Sequence, residues 1–122
     1  MACLLLSTWA QAGTYSFGVT KEFCDSKFDG KIAKPGEPYN VTDVIDSNLY
    51  SRRIVDEFVT STVAYIWYEH GGRGYHQHLV RFNVTKPSEV IENYTFYKTE
   101  YESIFDLIKN RQALNSELGG EL

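Results

Sequence analysis

Basic charge is scarce in this chain: twelve Lys and Arg stand against sixteen Asp and Glu, giving a formal net charge of −4 at neutral pH, with no cluster of basic residues. Nucleic acid and anionic membrane surfaces both demand such a cluster, so neither is expected as a partner, and a basic protein suits the chain better. No apolar run reaches the length needed to cross a bilayer. Catalytic signatures are missing as well. There is no Gly-x-Ser-x-Gly elbow, no phosphate-cradling glycine loop, no Cys-x-x-Cys and no His-Glu-x-x-His. Adjacent acids such as Asp56 and Glu57 read as solvated charge, and the chain is read as a non-enzyme that needs no cofactor.

What is present is aromatic: nine Tyr, seven Phe and two Trp in 122 residues, enough for one domain with a modest hydrophobic core. The first twelve residues differ from the rest. Met1–Trp9 carries no charge and includes Cys3-Leu4-Leu5-Leu6, and Ala10-Gln11-Ala12 offers the small-x-small site of a signal peptidase. The expectation is an export signal over 1–12, cleaved near Ala12, and a single domain over 13–122 that works outside the cytoplasm. The basic segment that precedes such a run is missing, which puts the true start upstream; a buried first strand or helix turn is the alternative. With Cys3 removed, Cys24 stands alone in an oxidising compartment. It reads either as one half of an intermolecular disulfide or as a buried, inert thiol, and a Cys3–Cys24 bridge becomes the alternative if the N-terminus is kept.

Along the mature chain, Tyr15, Phe17 and Val19 alternate within Thr14–Phe23, which predicts a strand. Residues 24–40, with Pro35, Gly36 and Pro38, predict a long loop, and Val41, Ile45 and Leu49 predict a short helix over Val41–Tyr50. Phe58–Glu69 and Tyr75–Thr85 are dense in β-branched and aromatic residues around His70-Gly71-Gly72-Arg73-Gly74, which predicts a hairpin. With Gly72 and Arg73 at the turn centre, Trp67 faces His78, Tyr65 faces Val80, Val63 faces Phe82 and Glu69 faces His76. That face would cover the core, while the other, pairing Ile66 with Leu79 but Ala64 with Arg81, would meet solvent or a partner. Val90–Lys98 predicts a further strand. Thr99 with Glu102 predicts a capped C-terminal helix through Ile104, Phe105, Ile108 and Leu118, stopped by Gly119-Gly120. The fold class is α+β: an antiparallel sheet with a central long hairpin, packed against the C-terminal helix.

Two candidate sites lie on that hairpin. Glu69, His76 and His78 would converge as three ligands for a divalent metal, or simply finish the wet end of the hairpin; His70 would point away. At the tip, Arg73 projects with Trp67, Tyr68, Tyr75, His76 and Gln77 behind it, which reads as a protein-binding anchor or as an ordinary turn. The loop carrying Phe28, Ile32 and Tyr39 is the second choice of contact surface. Three Asn-x-Thr sequons, at Asn40, Asn83 and Asn93, read as incidental Thr in β-rich sequence rather than as glycan sites.

A short, exported, acidic and aromatic chain with the isolated Cys24 and the tip His70–Gly74 resembles the periplasmic immunity proteins that protect bacteria from type VI secretion effectors. From Thr14 through the capped helix it is similar to the antidotes of spike proteins that carry a peptidoglycan-degrading, lysozyme-like domain. The resemblance implies a homodimer that binds the cognate effector and blocks its glycan cleft. A cleft that works with paired carboxylates is best met by donors and aromatics, and Arg73, Tyr75, His76 and Gln77 are of that kind.

Overall fold

The computed structural model describes residues 18–42, 44–72, 74–116 and 121–122. The expected export signal with Cys3, the residues 14–17 of the first predicted strand, the tip residue Arg73, and Leu118 to Gly120 lie outside the described residues. The elements are α1 (Gly18–Phe28), β1 (Arg52–Val59), β2 (Val63–His70), β3 (His76–Asn83), β4 (Val90–Phe96), α2 (Ile104–Lys109) and the two-residue β5 (Asn115–Ser116), with one 3₁₀ turn at Arg111–Ala113. The strands pair antiparallel in chain order, β1-β2-β3-β4-β5. An antiparallel sheet with a C-terminal helix packed on it is the expected α+β class.

A helix at the start of the described chain is not what the sequence predicts. Where alternation predicts a strand to Phe23 and a loop after it, residues 18–28 are helical. Val19, Phe23, Cys24 and Phe28 fall four, one and four residues apart, one face of a helix, and Lys21 and Asp25 add an exposed i,i+4 ion pair at 2.7 Å. Asp29 and Gly30, at φ 58° and 73°, reverse the chain, and the Gly30 N–H returns to the Cys24 carbonyl. The predicted helix over Val41–Tyr50 is absent among the described residues there. Its place is taken by a turn-rich loop with a Leu49 N–H to Asp46 carbonyl bond.

β1 also went unseen, because Arg-Arg-Ile-Val-Asp-Glu-Phe-Val is too charged to read as a strand. Charge of that kind is what an edge strand carries. A bulge between Ile54 and Asp56 bends it, and the preceding loop covers its rim through paired backbone bonds of Ala33 with Arg52 and Ile54. The predicted strand Phe58–Glu69 is therefore two strands joined at residues 60–62, where the Thr60 hydroxyl donates to the Val63 carbonyl and accepts from the Val63 N–H. The C-terminal helix starts later than the Thr99/Glu102 box implies: Ser103 is the cap, its hydroxyl accepting from the Asp106 N–H, and the helix ends at Lys109.

The hairpin register differs by one residue. Val63 faces Asn83, Trp67 faces Leu79, Tyr68 faces His78 and His70 faces His76, around a five-residue connection. One residue of slip moves every β3 side chain to the opposite face. Ala64, Ile66 and Tyr68 thus share a face with Phe82, Val80 and His78, covered by Phe23, Cys24 and Phe28 of α1. Tyr65, Trp67 and Leu79 share the other with Tyr94 and Phe96, covered by Ile104 and Leu107 of α2. Both faces are buried, so the one expected to be wet is core. The layers are joined by ring contacts: Phe23 stacks on Phe82 at 4.5 Å, and Phe58 meets Phe105 edge-on at 5.0 Å.

Candidate functional site

At one end of the sheet the corrected register gathers all three histidines of the chain. His70 closes β2, His76 opens β3 directly opposite, and His78 follows on the same face. One ring nitrogen from each lies within 4.8 Å of the others. Ring centroids are 4.8 Å apart for His70–His76 and for His76–His78, and 6.2 Å for His70–His78. His78 is fully buried, its ring lying flat on Tyr68 at 4.9 Å; His70 and His76 are partly open.

The hydrogen bonds fix which nitrogens face inward. His78 Nδ1 meets Asn93 Oδ1 at 2.8 Å, and Asn93 turns its oxygen that way because its Nδ2 donates to the Glu121 carbonyl. His76 Nδ1 meets the Gly74 carbonyl at 2.8 Å. Both partners are oxygens that only accept, so both rings carry a proton on Nδ1 and turn Nε2 toward each other. The two Nε2 atoms lie 3.0 Å apart. His70 Nδ1 is buried with no hydrogen-bond partner. Burial, reinforced by the Arg52 charge and the neighbouring imidazoles, pulls His70 and His78 down to about 4, which keeps both neutral at pH 7.

Glu69, expected to be the third ligand, faces Gln77 rather than His76 and lies on the opposite face of the sheet. Its carboxylate is taken up by the Tyr39 hydroxyl at 2.7 Å, the Tyr75 hydroxyl at 3.0 Å and Arg53 Nη2 at 3.0 Å. Burial and the Glu69 charge push the Tyr75 phenol up to about 12 and Tyr39 higher still, so both stay protonated donors.

Of the expected contact residues, Trp67, Tyr68, Phe28 and Tyr39 are interior side chains. Trp67 Nε1 donates to Gln77 Oε1 at 2.8 Å, and the Tyr68 hydroxyl donates to the Leu122 carbonyl. Tyr75, His76 and Gln77 stay half-buried at this end, with the exposed Tyr97 edge-on to Tyr75. Beside them is a surface that sequence reasoning missed. The loop after Asn40 exposes Val44 by 81%, Ile45 by 59%, Val41 by 47% and Tyr50 by 47%. It is held from its base: the buried Asn40 donates from Nδ2 to the Asp46 and Leu49 carbonyls and accepts the Asp46 N–H. The loop is tied to the hairpin by Gly71 N–H to Ser51 and Gly72 N–H to Val41. The only hint in the sequence was Val41, Val44 and Ile45 between polar residues, which helical spacing absorbed. Asn40 and Asn93 are both buried in this network, so neither sequon offers its amide to a glycan.

Cys24 is a free thiol, 4% exposed, beneath a groove of about 330 Å³ lined also by Lys21, Asp25, Ile32 and Tyr50. Burial first, then the charges of Asp25 and Glu57, push it up to about 12. Of its two readings the buried one fits, since an intermolecular bridge requires an accessible thiolate. Native protein is expected to label with a thiol-specific disulfide reagent at least about 100-fold more slowly than urea-unfolded protein at the same pH, because both access and thiolate fraction are lost. Rapid native labelling, or a covalent dimer on a non-reducing gel, would contradict this.

No protein-family model, no curated protein and no solved structure matches the chain.

Proposed function

We propose that the protein is an extracytoplasmic inhibitor of the immunity type, which binds a cognate peptidoglycan-degrading effector and occludes its glycan cleft. The observation that carries the reading is the apolar surface of Val41, Val44, Ile45 and Tyr50, which leaves large hydrophobic area in water on a loop tied at both ends to the hairpin. Exposed apolar clusters rimmed by polar residues mark interaction sites. A pre-formed loop also loses little conformational freedom on binding. The net charge of −4 favours fast association with a basic partner. Tyr75, Gln77 and the exposed Tyr97 extend the surface with aromatic and hydrogen-bonding groups suited to a cleft.

The test is binding of the cognate effector domain, measured by calorimetry together with protection of peptidoglycan from digestion. Val44→Asp with Ile45→Asp is expected to weaken binding by more than about 100-fold, since two charges would be forced into a desolvated contact. Lys86→Ala, in the exposed β3–β4 turn, is expected to leave binding unchanged. Unaltered affinity in the double variant would move the contact off this loop, and absence of any complex with wild-type protein would overturn the inhibitor reading.

A further inference from the structure

We propose that His70, His76 and His78 form a binding site for one zinc ion, with three imidazole ligands and a fourth position left for a ligand from solvent or another molecule. The site stands apart from the inhibitor reading and does not rest on it. Its first support is the pair of Nε2 atoms 3.0 Å apart. With Nδ1–H bonded to a carbonyl-type oxygen on both rings, two lone pairs point at each other across the gap. Moving either proton to Nε2 would repair that clash only by setting the bare Nδ1 against an oxygen. No pair of neutral tautomers satisfies all the partners; a shared cation does, either a proton between the two rings or a metal ion, and only the metal also engages the unpartnered His70 nitrogen.

The His76–His78 pair fits zinc as it stands, while the half-open His70, whose ring nitrogen lies within 4.8 Å of the others, closes the site by swinging inward by about 1–1.5 Å. Ligands at about 2.05 Å with tetrahedral angles place neighbouring nitrogens about 3.3 Å apart and imidazole centroids about 5 Å apart. The observed 3.0 Å needs an adjustment of a few tenths of an ångström, and centroid separations of 4.8, 4.8 and 6.2 Å bracket the second figure. His70 supplies the third ligand with a buried Nδ1 that nothing else engages. The surroundings are also those of a metal site. A ligating imidazole typically gives its other N–H to a backbone carbonyl or carboxylate-like oxygen, which fixes its orientation. Gly74 does this for His76 and Asn93 does it for His78, while the flat stack on Tyr68 restricts rotation of the buried ring.

Three neutral nitrogen donors without a carboxylate suit a borderline-soft divalent ion and exclude magnesium or calcium, which take oxygen. The ion would keep its full double charge, and Arg52, paired across from His70, adds to it. The fourth position therefore favours an anionic ligand such as hydroxide, chloride or a carboxylate from another molecule.

The experiment uses the full chain stripped with a chelator. Zinc chloride titrated calorimetrically should bind with one-to-one stoichiometry. Cobalt(II) should produce the intense absorption near 600 nm of a four-coordinate site, and zinc should bleach it. His70→Gln and His76→Gln, both at partly open positions, should each weaken zinc by more than the roughly 100-fold that follows from losing a hydrogen-bond partner of a ligand. Circular dichroism would establish that both variants fold, and ring-nitrogen NMR of the wild type should show zinc moving the His76 and His78 Nε2 resonances. Absence of one-to-one binding, or equal affinity in the His70→Gln/His76→Gln double variant, would overturn the proposal. Effector binding by those variants separates this site from the inhibitor surface.

Discussion

Gly71→Ala is expected to cost about 3 kcal/mol or more, and to lower the melting temperature by about 10 °C or more, although it adds a single methyl group. A Cβ at that position would lie 1.8 Å from the Asn40 carbonyl oxygen and 2.8 Å from the Val41 Cα. Both are backbone atoms, so no side chain can swing aside; the loop must back away from the hairpin. Retreat would stretch the bonds from Gly71 to Ser51 and from Gly72 to Val41, and would disturb the Asn40 amide that organises residues 41–49. Gly74 provides the contrast. It has open space around its missing Cβ but a φ of 76°, so Gly74→Asn should cost only a few tenths of a kcal/mol, because Asn tolerates that conformation. Gly71→Asn should be at least as damaging as Gly71→Ala. Denaturant titration of the three variants reads the difference, and a Gly71→Ala midpoint equal to the wild type would refute the close approach. Because the approach fixes the apolar loop, the same substitution should also weaken the proposed effector contact.

The composition of this chain announces its central strands clearly, and its faces poorly. Ala64–Tyr68 and Leu79–Val80 are aliphatic or aromatic at every position because both sides of the sheet are covered, α1 on one and α2 on the other. A strand buried on both faces has no hydrophobic alternation, and without alternation the register rests on turn geometry alone. Assuming two central turn residues made the partners one residue out of step; the connection holds five. That single displacement exchanged His70 for Glu69 among the neighbours of His76 and His78, whereas Trp67 and Tyr68 were read as contacts from their nearness to the tip and are core. His-x-His was legible as a possible ligand pair, but Asn93, fifteen residues on, and the Glu121 carbonyl that orients it were not, because cross-strand neighbours carry no local signal. β1 was hidden by its charges, which serve the sheet edge, and α1 by a window that stopped at Phe23, before Cys24 and Phe28 could complete the helical face.

Tyr68 joins the core to the histidines, and Tyr68→Ala is expected to be the most destabilising of these single substitutions, at about 3–5 kcal/mol. The side chain is fully buried, stacked on His78 at 4.9 Å and 14°, and edge-on to Phe28 at 5.3 Å. Its removal leaves a large cavity between α1 and the sheet, and it strips the Leu122 carbonyl of a donor at 2.8 Å. Tyr68→Phe separates the contributions. It keeps both ring contacts and loses only the hydroxyl, so it should cost about 1–2 kcal/mol, the range for stranding one buried partner. Arg52 also donates to Leu122, which places the expected value toward the lower end. The two variants also separate interior from surface. Were Tyr68 a contact residue, Tyr68→Phe would weaken effector binding and spare stability; as a core residue it should do the reverse, lowering the unfolding midpoint while affinity stays within about twofold. Zinc provides a third readout, since the phenol ring restrains His78. Tyr68→Phe keeps that ring and should hold zinc as the wild type does, whereas Tyr68→Ala, assayed below its lowered melting temperature, frees the imidazole to rotate and should weaken zinc about tenfold or more.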